Sequence, residues 1–176
     1  AIFYRAISLR GTYTILSDSA KSSAAVGLVI GGALIFNYIV ASENIPNMMA
    51  SMLRSIDLSP IAFLLMVNLI LLLLGCILDA TTILLVIIPL FLPACRELGI
   101  DLVHFGVVVV VNTMIGLITP PYGILLFVIN GLTGAPMKEM ITEVLPFLFV
   151  LILALLIMTL MPDLVLWLPR VFGYLG

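Results

Sequence analysis

The chain has 176 residues, is 64% hydrophobic and 9% charged, and has a mean hydropathy of +1.37. Soluble domains are nearer half apolar and a quarter charged, so this composition excludes an ordinary water-soluble fold and indicates an integral membrane protein. A net charge of −2 without any basic patch excludes a nucleic-acid partner.

The charges are sparse and clustered. They leave uncharged runs at 24–41, 58–78, 80–95, 102–137 and 144–162. Each run is long enough, or nearly so, to cross about 30 Å of hydrocarbon at 1.5 Å per residue. An all-α polytopic membrane protein is the expected class. The sequence begins without a methionine, in what reads as the middle of an element, and a piece of a longer polypeptide is expected.

Taken in order, residues 1–23 mix Arg5, Arg10, Asp18 and Lys21 with isolated apolar residues. They predict the end of a helix and then an interfacial segment, jointed at Gly11. Residues 24–41 predict the first membrane span. Gly27, Gly31 and Gly32 give it a small-residue face for close packing, and Asn37 is its one strongly polar side chain, expected to make a packing hydrogen bond.

Residues 43–57 differ. Ile45, Met48, Met49, Met52, Leu53 and Ile56 share one helical face, with Asn44 and Pro46 placed to start the helix. Such a segment is expected to lie along the membrane interface. Residues 1–57 thus read as arm, span and interfacial helix outside the core.

Residues 58–95 form a run of 38 residues with a single charge, Asp79, near its centre. A straight helix of that length measures about 57 Å, nearly twice the hydrocarbon thickness. The length predicts a re-entrant helical hairpin with arms of about 17 residues, the short end of the spanning range. Its tip is Gly75-Cys-Ile-Leu-Asp-Ala-Thr-Thr82. A charged, hydroxyl-rich turn at that depth must be buried in protein or wet.

Residues 96–101 predict a polar loop with Gly99 as a helix C-cap. The run 102–137 repeats the length problem, and its break is legible. Pro120 and Pro121 remove two backbone donors. Pro120 also drives Thr119 out of the α region, while Gly116 and Gly123 free the backbone on either side. A broken transmembrane helix over 102–132 is expected, and with the hairpin it makes a transport-domain core at 58–137. A short amphipathic turn opens at Pro136, and 144–162 is the final simple span of a C-terminal unit at 138–176. Pro162, Asp163, Trp167 and Arg170 mark its exit, with Trp167 as interfacial anchor.

Catalysis has no support in these residues. The one histidine, His104, has no nucleophile or metal-ligand partner at a recognisable spacing, no P-loop is present, and Cys76 and Cys95 sit apart in apolar runs as small buried hydrophobes. No catalytic residue and no cofactor is expected.

Cation chemistry has more. Unwound backbone survives in hydrocarbon only when buried in protein or lining a wet cavity, and its freed carbonyls can bind a cation. Pro120 and Pro121 deprive the Gly116 and Leu117 carbonyls of their usual helical donors. Carbonyls at Gly116, Ile118 and Thr119, the Thr119 hydroxyl, the Gly75 carbonyl, Asp79, Thr81 and Thr82 form a hard-oxygen set suited to sodium. Asp79 reads equally as a ligand or as the cap of the helix beginning at Ala80.

Several motifs in order resemble one family. They are Gly75-x-x-x-Asp79 followed by Pro89 and Pro93, Gly99-Ile-Asp101-x-x-His104-Phe-Gly106, Gly116-x-x-Thr119-Pro-Pro-x-Gly123, and Pro162 with a later Leu168-Pro169. The chain resembles the C-terminal half of the large membrane subunit of tripartite ATP-independent periplasmic (TRAP) transporters.

That resemblance implies one inverted repeat of an elevator-type transporter in the bacterial inner membrane. Sodium is the implied coupling ion, bound between hairpin tip and broken helix at Gly75, Gly116, Thr119 and Tyr122. Asp79, Thr81, Thr82, Asn112, Pro120, Pro121 and Gly123 are the implied supports of the tip and break. The implied partners are a small membrane subunit, a periplasmic substrate-binding protein, the N-terminal half of the large subunit and the lipid bilayer. The implied solute carries a carboxylate, of the sialic acid or C4-dicarboxylate type. A stand-alone sodium/dicarboxylate symporter and a non-transporting membrane scaffold subunit are the rival readings.

Overall fold

The computed structural model describes residues 9–45, 47–48, 51, 58–120 and 122–174. Among these the chain is helical, with no strand. The predicted interfacial helix at 43–57 falls largely outside the described residues. So does Pro121.

The first helix, α1 (Leu9–Ser42), is one continuous element of 34 residues. It runs straight through Gly11, so the predicted joint is not a break in the helix. The charges that suggested an interruption are accommodated on the helix surface, where Lys21 pairs with Asp18 one turn away at 3.3 Å. Glycine within a helix costs only about 1 kcal/mol against alanine, too little to break an element of this length by itself.

Helix α2 (Pro60–Gly75) starts where the sequence provides a start: Ser59 caps it by accepting from the Ala62 N–H, and Pro60 occupies the first turn. It stops at Gly75. After the turn at 76–79 the chain winds again from Ala80, passes through a π-helical stretch (Ile83–Ile87) and continues as α3 (Ile88–Glu97). The two arms fold back on each other, because the Phe63 and Phe91 rings meet edge-on with centroids 6.2 Å apart. Pro89 accounts for the irregular stretch. It has no N–H to give the Leu85 carbonyl, and the Asn37 side chain of α1 donates to that carbonyl instead, at 3.0 Å. The packing bond expected of Asn37 is present.

Gly99 ends the second arm at φ +67, as a C-cap should. Asp101 then caps α4 (Leu102–Ile118), accepting from the Val103 and His104 N–H groups at 2.8 and 3.0 Å. After a break, α5 (Ile124–Thr133) continues the span. Helix α6 (Met137–Leu160) returns, and α7 (Pro162–Val171) follows it. The expected amphipathic turn before the last span is instead the first two turns of α6, where Lys138, Glu139 and Glu143 are exposed.

Helices α2 and α4 run in the same direction. Asn68 pairs with Asn112, and further along both helices Gly75 meets Gly116. Their shared core includes Phe63, Val67, Leu71, Ile83, Phe105 and Val109, all buried. Helix α6 lies antiparallel to α4, since its end returns to the start of α4: the buried His104 ring donates from Nε2 to the Met158 carbonyl at 2.8 Å. Among the described residues three helices are long and apolar enough to cross a membrane, spanning Gly11–Ser42, Ala80–Glu97 and Met137–Leu160. The outward faces of α1 and α6 carry exposed Leu, Ile, Val and Phe, which suits lipid rather than water.

The chain end is tied down as well. Beyond α7, Tyr174 donates its hydroxyl to Asp101 at 3.1 Å. Burial works to raise the Asp101 carboxyl. The His104 N–H, the Tyr174 hydroxyl, the Val103 N–H and the charge of His104 outweigh it and hold Asp101 below the usual carboxylate range.

Candidate functional site

The hairpin tip and the helix break meet main chain to main chain. A Cβ built on Gly116 would lie 2.7 Å from the Gly75 Cα and 2.9 Å from its carbonyl carbon. A Cβ on Gly75 would lie 3.0 Å from the Gly116 Cα. Only glycine at both positions permits the contact. Both are buried, so their carbonyls sit in a part of the protein where an oxygen ligand counts for more than it does in water.

The break follows the sequence closely. Helix α4 ends at Ile118, and Thr119 takes an extended conformation at φ −81, ψ 126, as a residue before proline must. A turn bond then bridges the break, the Gly123 N–H donating to the Thr119 carbonyl at 3.0 Å. At Gly123 there is no room for a side chain, because a Cβ would lie 3.1 Å from the Ile118 carbonyl carbon.

One expectation is corrected. The Gly116 carbonyl is not stranded by the prolines, since Thr119 donates its own N–H to it at 3.0 Å, a bond one residue shorter than the helical one. Tightening of the last turn is the usual remedy for orphaned carbonyls. It leaves that oxygen one lone pair for another partner. The Thr119 hydroxyl likewise spends its proton on the Ile115 carbonyl at 2.7 Å and keeps its lone pairs.

Asp79 sits as the cap of the second arm. It accepts from the Thr82 N–H at 3.0 Å and from the Thr82 hydroxyl, with Thr81 contributing further bonds. Of the two readings open from sequence, cap or ligand, this is the cap. Its carboxylate is exposed at the tip, as are Thr81 and Ile77. Tyr122 is 61% exposed and lines a cavity of about 460 Å³ with Cys76, Ile77, Ile124 and Phe127. Among the described residues no three His, Cys, Asp or Glu side chains gather as metal ligands.

Behind the contact lies a feature that sequence reasoning took only in part. Asn112 is fully buried and donates from Nδ2 to both the carbonyl and the Oδ1 of Asn68, at 2.9 and 3.0 Å. Asn68 donates in turn to the Thr159 hydroxyl of α6 at 2.8 Å. Asn68 and Thr159 were not foreseen. The available signal was an amide in the middle of an otherwise apolar helix, a position that asks for a partner.

Comparison with known proteins matches residues 1–164 to the family model described as "Tripartite ATP-independent periplasmic transporter, DctM component". The chain is 39% identical over 170 residues to a C4-dicarboxylate TRAP transporter large permease protein of Pseudomonas aeruginosa, covering 97% of this chain and 40% of that protein. It is 36% identical over 174 residues to a sialic acid TRAP transporter large permease protein of Vibrio cholerae, covering 98% of this chain and 41% of the relative. A putative dicarboxylate transporter subunit of Paracoccus pantotrophus is 37% identical over 172 residues, with 97% of this chain and 82% of the relative covered. The chain thus spans about two fifths of the length of the first two relatives. These relatives carry the names of transporter components rather than of enzymes. A family match over nearly all of its residues, with relatives at 36–39% identity, places this chain in the large permease family of the tripartite ATP-independent periplasmic transporters.

Proposed function

We propose that this chain is the second inverted repeat of an elevator-type, sodium-coupled importer. It moves a carboxylate-bearing solute, of the sialic acid or C4-dicarboxylate type, across the bacterial inner membrane. It works with the N-terminal half of the large subunit, a small membrane subunit and a periplasmic substrate-binding protein.

The observation that carries the reading is the meeting of Gly75 and Gly116. It supports a re-entrant hairpin. The tip touches a point near the middle of the α4–α5 span, so it stops partway across even though Ala80–Glu97 is by itself long enough to cross. It also supports a sodium site. The oxygens gathered there are carbonyls and a hydroxyl, the hard neutral donors that sodium takes. In the proposal Gly75, Gly116, Thr119 and Tyr122 bind the ion, with the Gly75 and Gly116 carbonyls and the Thr119 hydroxyl among the ligand oxygens. Asp79, Thr81, Thr82, Asn112, Pro120, Pro121 and Gly123 hold the tip and break in shape. Sodium then bridges hairpin and broken helix, so that both move as one body with the solute. The relatives' names, which give C4-dicarboxylate and sialic acid, support the solute class.

Sodium-dependent uptake in proteoliposomes holding the complete transporter and its binding protein tests this. Thr119→Val keeps the shape and removes one oxygen, so the sodium concentration for half-maximal uptake rises; Thr119→Ser stays close to wild type. An unchanged sodium dependence in folded Thr119→Val rejects the ligand. Uptake without the binding protein moves the assignment to a stand-alone symporter.

A further inference from the structure

We infer that Asn112 and Asn68, tied off by Thr159, form a register pin that sets where Gly75 and Gly116 meet. The two asparagines are then positioning residues for the ion, an inference that rests on the sodium site proposed above.

The glycine contact cannot choose its own register. It has no side chains to interlock, and its tolerance is a few tenths of an ångström. The buried residues earlier on the two helices, Val67, Leu71, Val108 and Val109, are apolar and impose little directional preference. The Asn112–Asn68 link is directional. Asn112 stands one turn before Gly116, on the same face of α4, and Asn68 stands two turns before Gly75 on α2. One amide nitrogen is shared between the carbonyl and the side-chain oxygen of a single residue. That is possible only at one axial offset of the two helices.

Thr159 removes the remaining freedom. Its hydroxyl donates to the Leu155 carbonyl at 2.7 Å, so toward Asn68 it only accepts. Asn68 must therefore turn its NH₂ to α6 and its oxygen to Asn112. The amide of Asn112 cannot be reversed either, because its oxygen would then face two oxygens of Asn68.

The arrangement is not one that stability alone would choose. Asn112 Oδ1 is buried without a partner, and a leucine pair in the same place would leave no unmet acceptor. A buried amide kept at such a cost fixes alignment in helical seams, where apolar neighbours would otherwise slide.

The test separates register from stability. The double variant Asn68→Leu/Asn112→Leu replaces both polar partners by apolar ones and is expected to be at least as heat-stable as the wild-type transporter in detergent. Its half-saturating sodium concentration is expected to rise tenfold or more, with the maximal uptake rate at saturating sodium kept within about twofold. A stable double variant with wild-type sodium half-saturation overturns the inference and leaves the pair a packing detail. If the double variant fails to assemble, Asn112→Gln takes its place, since it keeps the amide but moves it one methylene outward; wild-type sodium half-saturation there overturns the inference equally. A wild-type transporter indifferent to sodium defeats the sodium site itself, and this inference with it.

Discussion

Gly116→Ala introduces one methyl group at the tightest point of the protein. The new Cβ lies 2.7 Å from the Gly75 Cα, 2.9 Å from its carbonyl carbon and 3.3 Å from its oxygen. Ordinary contact begins near 3.4 Å, so the shortest distance falls short by about 0.7 Å. All three obstructing atoms are backbone, and no rotamer change can make room. The helices must part, and overpacking of this kind costs about 1–3 kcal/mol. Two internal comparisons calibrate the effect. At Gly75 the shortest clash is 3.0 Å, so Gly75→Ala is expected to be milder. At Gly106, also within α4, a Cβ meets nothing within 4 Å. There alanine gains helix propensity and should be neutral or stabilising by up to about 1 kcal/mol. The assay is thermal unfolding of the purified transporter in detergent, with sodium-dependent uptake beside it. The expected order of stability is Gly106→Ala above wild type or equal to it, then Gly75→Ala, then Gly116→Ala. Equal stability of Gly116→Ala and Gly106→Ala would refute the close approach.

Two further outcomes follow from caps and charges. Asp79→Leu removes the acceptor that starts the second hairpin arm and should cost about 1 kcal/mol, while Asp79→Asn keeps an acceptor and stays nearer wild type; melting temperatures of the two variants compare them, and equality at the wild-type value makes the cap irrelevant. The Asp101 carboxyl is held below its ordinary range in the folded state, so its contribution is complete above the unfolded carboxylate value of about 4 and fades as pH falls through the lower folded value. Tyr174→Phe deletes one of the bonds responsible and should flatten the loss of stability on the acid side, measured as melting temperature against pH; an identical profile would show that the tyrosine does not hold the carboxylate.

The local breaks were legible because local chemistry makes them. Asp79 offers an oxygen to a helix start, Gly99 supplies a positive φ at a helix end, and Pro120 forbids helix at Thr119 whatever the surroundings. Run lengths told the same story from outside, since 38 residues are too many for one span and slightly too few for two. Residues 9–23 misled for the opposite reason. Asp18 and Lys21 suggested an interruption, but a helix accepts charges on any face that does not meet apolar atoms, and α1 continues through them. The polar triad was hidden because Asn68, Asn112 and Thr159 are 44 and 47 residues apart along the chain, and nothing local shows which amide will meet which. Gly75 and Gly116 were legible only as two separate flexible points. Their contact is a tertiary fact.

That contact also decides how movement passes through the molecule. Where side chains touch, a small displacement is absorbed by torsions, and the neighbour hardly feels it. Two backbones in contact have no such slack. A shift of the hairpin tip by half an ångström must either be transmitted whole to the carbonyls of the break or open a gap between them. The joint at Gly75 and Gly116 therefore behaves as a stiff mechanical bearing: the first turn of response to a disturbance at the tip is a change in oxygen spacing, and not a change of rotamer.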